Sequence, residues 1–507
     1  MFICFEIKSM LNKLIKFFLK QRLVSLILLS AIILGGLVVS PFEWSTDLLP
    51  KNPIPVDAIP NTGANQQIVF TDWPGRSPQD IDDQVTYPLT TYLLGLPGVK
   101  SVRSNSMFGF SSIYIIFEDD IEFYWSRSRI LEKLSAIPKE LLPEGVKPTL
   151  GPEATALGQI FWYTIEPRDQ NNQPTGGWSL DEIRSVQDYY VRYGLSSAQG
   201  ISEVASIGGF VKSYQIDVNP DALKTYGISL IQVAKAVKES NRDIGAKTLE
   251  INQVEYIVRG LGYIENLRDL EQIVVAETNN VPIYIKDVAV IKTGPNQRRG
   301  ILDKAGAEVV GGVVIARDGF NPMQAIKNTK AKIKEISTGL PQKTLQDGTI
   351  SRLKIIPFYD RSDLIKETIG TLNQAISLQL IIAVLVVIII VFNLRSSIVI
   401  SAVLPVSVLL VFVAMKAFNI QANIVALSGI AIAIGTMVDL AVILSENVLK
   451  TFEAHPQRKL LKNIYEGSAE VSSAILTAVL TTVISFIPVF ALQEAEGKLF
   501  IPLAYTK

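Results

Sequence analysis

The chain has 507 residues, 48% of them hydrophobic, with 48 basic and 48 acidic residues and zero formal net charge. That balance argues against a nucleic-acid binder, which carries a basic excess. One cysteine, Cys4, excludes an intrachain disulfide or a zinc cluster of cysteine ligands, and one histidine, His455, excludes a histidine-rich metal site and most catalytic sets built on a histidine base.

In chain order, a basic N-terminus (1–22) leads into the first of five segments apolar enough to span a bilayer, which takes about 20 residues. The spans read as Leu23–Ser40, Ala375–Phe392, Ile398–Met415 with Pro405 inside it, Ile424–Leu444, and Val471–Leu492 with Pro488 near its end. The first apolar run is too long for a signal-peptide core and no small-x-small site follows it, so it reads as an uncleaved anchor. Positive charge gathers before the first span (Lys8, Lys13, Lys16, Lys20, Arg22), between the second and third (Arg395) and between the fourth and fifth (Lys450, Arg458, Lys459, Lys462). These places fall on one side in an alternating count, so that side, with the N-terminus, is cytoplasmic. The loop 41–374 is then outside the inner membrane, in the periplasm if the cell has one.

That loop reads as two similar units. In the first, Gln66–Asp72 is a strand and Ser77-Pro78 opens a helix, with serine as N-cap and proline in the first turn. Ile81, Val85, Leu89 and Leu93 recur every fourth residue along it, and Pro88 predicts a kink. Val99–Gly109 and Phe110–Glu118 form a hairpin, Ile121–Ile137 a second helix and Val146–Gly151 a closing strand. The order is β-α-β-β-α-β, the ferredoxin-like split βαβ.

The second unit repeats it. Gln159–Glu166 is a strand, Ser179-Leu-Asp-Glu182 a capping box opening a helix to Gly194, and Val204–Val211 a strand. Ala307–Ala316, a helix from Asn321-Pro322, and Leu353–Tyr359 complete it. The gap Tyr214–Pro295, with short strands and one helix near Ser229–Ser240, reads as an inserted subdomain. The fold class is therefore α+β: a transmembrane helix bundle plus two ferredoxin-like units, with boundaries at 23–40, 41–155, 156–213 with 296–374, 214–295, 375–492 and 493–507. Duplication of this kind is common in transporters.

Asp439 lies inside the fourth span, where a carboxylate costs roughly 2.5–3.5 kcal/mol on insertion scales. Such acids carry protons or ions, or else are satisfied by a neighbouring helix. Ala431, Gly435 and Asp439 fall at i, i+4 and i+8 on one face, and the two small residues predict the close approach of another helix. Drying by that helix raises a carboxyl pKa and a nearby lysine lowers it, so the two together can poise it for proton exchange. Glu446 sits near the same face at the cytoplasmic end, either as a proton exit or as a solvated interfacial acid. Met437 is a candidate soft metal ligand, against the alternative of simple packing.

Several runs resemble the heavy-metal efflux branch, of the CusA/CzcA type, of the resistance-nodulation-division (RND) pumps. They are Pro55-Val-Asp-Ala-Ile-Pro60, Gln84-Val-Thr-Tyr-Pro-Leu-Thr-Thr91, Ile116-Phe-Glu-Asp119, Trp125-Ser-Arg-Ser-Arg-Ile-Leu131, Leu150-Gly-Pro-Glu-Ala-Thr155, Tyr359-Asp-Arg-Ser362 and Gly435-Thr-Met-Val-Asp439 with Glu446-Asn447. The resemblance implies that the two units are porter subdomains and the insertion a docking subdomain. It implies no resident cofactor and no enzyme activity, but a cation/proton antiporter whose cargo is a metal cation. It further implies a homotrimer in the inner-membrane lipid, with a periplasmic adaptor and an outer-membrane channel as partners. Asp439 matches the family's proton-carrying aspartate.

The Gly429-Ile-Ala-Ile-Ala-Ile-Gly435 stretch resembles the copper/silver branch more than the zinc/cobalt/cadmium branch, which has a second acid in this helix. Leu440 after Asp439 departs from the paired aspartates of multidrug RND pumps. The expected function is proton-driven export of Cu(I) or Ag(I). The alternatives are a multidrug permease, a non-transporting half-protein, or a membrane-bound periplasmic enzyme, against which the absence of a nucleophile–base set speaks. The chain looks like an N-terminal half, its last residues preceding a sixth helix, with the C-terminal half supplying the lysine and further carboxylates of the relay.

Overall fold

The computed structural model describes residues 2–42, 50–278, 280–297, 300–391 and 394–507. The expected end of the second span at Phe392 falls outside them, as do the side chains of Lys8 and Arg395. The chain opens with helices α1 (Phe2–Lys20) and α2 (Arg22–Val39), separated at Gln21.

The first sheet unit comprises β1 (Gln66–Asp72), α3 (Pro78–Ile81), α4 (Tyr87–Leu94), β2 (Val99–Met107), β3 (Phe110–Phe117), α5 (Phe123–Ser135) and β4 (Pro148–Leu150). Its strands are antiparallel in the order β2-β3-β1-β4. Ser77 caps α3, its Oγ accepting from Asp80 N at 3.1 Å while the Asp80 carboxylate accepts from Ser77 N at 3.2 Å. Alternation along β3 turns Ile113, Ile115 and Phe117 inward, where they meet Val85, Leu89 and Leu93. Each such apolar side chain contributes about 1.5–3 kcal/mol on full burial.

The second unit starts with β5 (Gln159–Arg168), α6 (Leu180–Val186), α7 (Arg192–Ser196) and β6 (Ile201–Ile207). The strand expected at Val204–Val211 begins and ends earlier. Gly208 and Gly209 take φ of 78° and 64°, a left-handed backbone that ends the strand. An insertion follows: β7 (Lys212–Val218), α8 (Pro220–Tyr226), α9 (Leu230–Ser240), the hairpin β8 (Ile244–Ile251) and β9 (Val254–Gly260), α10 (Leu267–Glu271), β10 (Val274–Thr278), β11 (Val281–Tyr284), α11 (Ile285–Val288) and β12 (Ala289–Pro295). Antiparallel pairing of β7 with β12 closes it. Where the sequence suggested one helix, four form. The three extra ones are too short to show an amphipathic period, although Asn219 and Asn266 cap two of them.

The chain then returns through β13 (Leu302–Lys304), β14 (Ala307–Ala316), α12 (Pro322–Ile336), β15 (Gln342–Thr344) and β16 (Ile350–Asp360). The central order is β6-β14-β5-β16, the same as in the first sheet, and β13 and β15 extend it by short unforeseen pairings.

Both units carry a widened π turn in the helix after their first strand, at Asp82–Thr86 and at Gln187–Val191. In the first unit the bend precedes Pro88, whose ring would clash with the carbonyl four residues back. The second turn contains no proline. What the two share is a buried polar side chain seated on the sheet. Thr86 Oγ1 donates to Ser111 Oγ and accepts from Ser106 Oγ, both at 2.8 Å. Gln187 accepts from Tyr163 Oη at 2.9 Å and donates to Ser206 Oγ at 3.1 Å. These bonds sit within both widened turns, and only the first is followed by a proline.

The rest of the chain is helical: α13 (Arg361–Val391), α14 (Leu394–Ala417), α15 (Ile424–Ala454), α16 (Leu460–Phe486) and α17 (Glu494–Thr506). Among the described residues four stretches are long and apolar enough to cross a membrane: Arg22–Val39, Arg361–Val386, Ile424–Ala454 and Leu460–Ala491. The third expected span, Ile398–Met415, shows a shorter apolar helix, Ser401–Ala417. The final segment, expected to precede a helix, is itself the helix α17, packed on α15. A shared core of Phe42, Ile54, Val56, Ile365, Phe412, Met415, Leu427 and Ile430 joins the segment after α2 to α13, α14 and α15.

Candidate functional site

α15 begins at Asn423, whose side chain accepts from Val425 N at 3.1 Å and Ala426 N at 2.9 Å and so caps the first turn. Ala426, Leu427, Gly429, Ile430, Ala433 and Ile434 are buried, the spacing of a helix face pressed against neighbours. Beyond Ile434 the helix opens. Gly435, Thr436, Asp439, Ile443 and Glu446 are all exposed. Asp439 therefore stands on an open stripe, and among the described residues no hydrogen bond or ion pair reaches it.

The neighbours expected around Asp439 are arranged differently. Ala431 is half-buried, and its carbonyl accepts from Gln379 Nε2 of α13 at 2.8 Å. The close helix approach expected at Gly435 is not made among the described residues: no described atom outside its own stretch of α15 lies within 4 Å of where a Cβ would stand. The tight crossings fall at other glycines. A Cβ on Gly429 would meet the Thr506 hydroxyl and the Leu503 carbonyl of α17, and Thr506 Oγ1 donates to Ala426 O at 2.7 Å. A Cβ on Gly467 of α16 would lie 2.8 Å from Val448 Cα, and Asn447 Nδ2 donates to Gly467 O at 2.8 Å. Gly429, Gly435 and Gly467 all sit in membrane-length helices, and only packing tells the two closed ones from Gly435.

Glu446 is exposed and pairs with Lys450 one turn on, at 2.8 Å. Met437 is half-buried, and Met415, the other methionine of the bundle, is buried in its apolar core. Among the described residues no three His, Cys, Asp or Glu side chains gather as a metal site.

A second constellation, unforeseen from the sequence, joins the bundle to the sheets. Arg361, at the first residue of α13, is 3% exposed and donates to Asp57 Oδ2 at 2.8 Å and to Leu157 O at 2.6 Å. Burial pushes the Asp57 carboxyl above its ordinary range, and Arg361 only partly opposes that. The backbone beside Asp57 is clamped to the start of α15: Ala422 N donates to Pro55 O at 2.9 Å, and Asp57 N to Ala422 O at 3.3 Å. Asp360 accepts from Ser362 Oγ at 2.6 Å and pairs with Lys330 of α12. Burial opposes its ionisation, yet Lys330 and Ser362 hold its pKa below the usual range. The signal was present, since Asp57 and Arg361 lie in two of the quoted motifs, but nothing in one dimension pairs positions so far apart.

Two cavities flank this junction. One, of about 870 Å³, lies between the end of α2, α12 and α13, and Lys51, Lys327, Lys330 and Lys366 line it, a charge that repels metal cations. The other, of about 120 Å³, takes Asp57, Asn61, Thr155, Asp318 and Gln421 in its wall. Burial also raises the pKa of Asp318, against a hydrogen bond from Asn61.

A model of the AcrB/AcrD/AcrF family matches residues 14–507. The chain belongs to the AcrB/AcrD/AcrF family. Within that family it is similar to the putative cation efflux system protein SilA of Salmonella typhimurium, at 39% identity over 94% of this chain and 45% of that one. The cation efflux system protein CusA of Escherichia coli strain K12 is also 39% identical, over 94% of this chain and 45% of its own length. The cobalt-zinc-cadmium resistance protein CzcA of Cupriavidus metallidurans is 29% identical over 98% of this chain and 45% of its own. The crystal structure of a heavy metal efflux pump superposes with a TM-score of 0.81 at 27% identity, covering 97% of this chain and 46% of that chain. This family member thus spans about half the length of the curated relatives it matches.

Proposed function

We propose that this chain is part of a proton-driven heavy-metal exporter of the RND type, in which Asp439 exchanges the driving proton. The observation that carries this is the exposed carboxylate of Asp439, without a partner among the described residues, on a membrane-length helix of a cation-efflux relative. A second half of the pump covers the open stripe of α15 and brings the lysine and carboxylates that complete the relay, with Gly435 and Ala431 as its contact face. Glu446 serves as the cytoplasmic exit. The two sheet units act as porter subdomains and the insertion 214–295 as the docking subdomain, reached by a periplasmic adaptor and an outer-membrane channel in a homotrimer. The bundle sits in the inner membrane with the N-terminus cytoplasmic.

Protonation at Asp439 changes the charge on α15 and shifts that helix. The shift passes through the Ala422–Pro55 backbone bridge to Asp57, from Asp57 to Arg361, and from Arg361 to the Leu157 carbonyl ahead of β5. This path is a chain of contiguous contacts offered as the coupling element.

Cu(I) and Ag(I) are the favoured cargo. Identity to the cation efflux proteins SilA and CusA is 39%, against 29% to the cobalt-zinc-cadmium protein and 28% to the nickel and cobalt resistance protein CnrA of Cupriavidus metallidurans. Met437 is the candidate soft ligand nearest the relay. The test is metal efflux from vesicles under an imposed pH gradient, with the chain co-expressed with a matching second half. Proton-coupled Cu(I) or Ag(I) transport lost in Asp439→Asn supports the reading. Transport at the wild-type rate in that variant overturns it.

A further inference from the structure

The helix α1 divides into three stripes. Leu11, Ile15, Phe18 and Leu19 are half-buried, and on that side Asn12 accepts from Ser472 Oγ of α16 at 3.5 Å. Met10, Leu14 and Phe17, at i, i+4 and i+7, point away from the protein and are 63%, 47% and 51% exposed. Lys13, Lys16 and Lys20 form the third stripe, with Lys16 6.0 Å from the centre of the Tyr465 ring of α16. The order around the helix is protein-facing, apolar-exposed, cationic. A helix whose only role was to brace α16 has no use for the middle stripe, because water would meet it.

We propose that α1 lies in the headgroup region of the leaflet from which α2 enters the membrane, and that this leaflet is read by its anionic lipids. The occupant is argued from two features. The stripe is continuous with a membrane-length helix, since only Gln21 separates Lys20 from Arg22. The charge is complementary, since three lysines border the apolar stripe, Arg22 follows at the start of α2, and no acid lies between Lys8 and Arg22. An apolar stripe edged by lysines is the pattern of helices that lie in an interface and gain from anionic lipid. The contact with α16 makes the leaflet a partner of the bundle itself: α16 packs on α15, so lipid bound at α1 braces the helix that supports Asp439. This inference rests on the membrane reading of α2.

The test uses the full chain with Cys4→Ser, reconstituted in phosphatidylcholine vesicles with or without phosphatidylglycerol. Single cysteines at Leu14, Lys13 or, as a control in α2, Leu28 carry a fluorophore. Iodide quenches from water and a doxyl-labelled lipid quenches from the bilayer. The Leu14 label is expected to be quenched by doxyl lipid and protected from iodide, with the Lys13 label open to iodide. Lys13→Gln with Lys20→Gln is expected to weaken helix–leaflet association by about fivefold per lysine, only when phosphatidylglycerol is present. Equal iodide quenching at positions 13 and 14 overturns the proposal. So does protection of the Leu14 label from both quenchers, which would mean that protein covers the stripe. An unchanged response in the double lysine variant overturns the lipid-charge part. Iodide access at Leu28 would instead overturn the membrane reading of α2.

Discussion

The two ends of α15 have similar composition and opposite surroundings. At its start Asn423 caps the turn, Gly429 is closed by Thr506, and the backbone at Ala422 is bridged to Pro55 beside a buried ion pair. At Asp439 the helix faces open space and its carboxylate has no described partner. Small residues and an apolar background occur in both halves, so neither composition nor spacing separates a structural half from a working one. What separates them is whether polar groups are satisfied. The start of the helix is anchored to the sheets, whereas Asp439 is left without a described partner although α16 closes on Asn447 and Val448 two turns further on.

The largest effect is expected at the open end. With a matching second half present, Asp439→Asn abolishes proton-driven metal efflux in vesicles and leaves the thermal melting of the detergent-solubilised protein unchanged. A coupled fall in melting temperature would make Asp439 structural and erase the contrast between the two ends.

At the closed end, Asp57→Asn leaves the buried Arg361 guanidinium without its counter-charge. Losing one member of a buried pair costs about 3–5 kcal/mol, which a denaturant midpoint would register. A change near zero would mean that Leu157 O and solvent suffice for Arg361.

Glycine substitutions sharpen the comparison within one helix. Gly429→Leu drives a side chain into Thr506 and the Leu503 carbonyl and is expected to destabilise by about 1–3 kcal/mol. Gly435→Leu is expected to be neutral in this chain alone and to block association with the second half. Equal destabilisation by both would show that the Gly435 face is already packed in this chain.

Buried carboxylates give a smaller effect whose sign depends on their partners. Glu166 is half-encircled by Lys304, Thr164 and Arg168; burial raises its pKa, but those bonds prevail and hold it down to about 2, against an ordinary 4.5. Its contribution to stability is full above pH 4.5 and is lost as pH falls towards 2. Asp57 runs the other way. Its raised pKa favours the folded state below its ordinary 3.8, and that contribution fades as pH rises through the raised value. Urea midpoints of wild type and Glu166→Gln should therefore converge as pH falls from 4.5; a gap independent of pH would remove Glu166 as the titrating group.

The smallest effect is expected at Glu446. Exposed and paired only with Lys450, it can be replaced by water in a relay, so Glu446→Gln should slow efflux modestly. Loss of transport as complete as in Asp439→Asn would promote it to an obligatory carrier.

Local physics wrote much of this molecule into its sequence. The four-residue spacing of Val85, Leu89 and Leu93, the alternation of Ile113, Ile115 and Phe117, the Ser77 and Ser179 capping boxes and the apolar runs of α2, α13, α15 and α16 all depend on neighbours within a few residues. Asp439 was also legible, because a charge in a long apolar helix is conspicuous without any partner. The tertiary structure decided which small residues make close contacts, since Gly429, Gly435 and Gly467 differ only in what crosses them. It decided that Asp57 meets Arg361, a pairing across most of the outer loop that no periodicity encodes. It also set a π turn beside a buried polar side chain on each sheet, only one of them followed by a proline. Those features depend on atoms brought together from distant parts of the chain, and a one-dimensional pattern carries only the half of each contact that it contains.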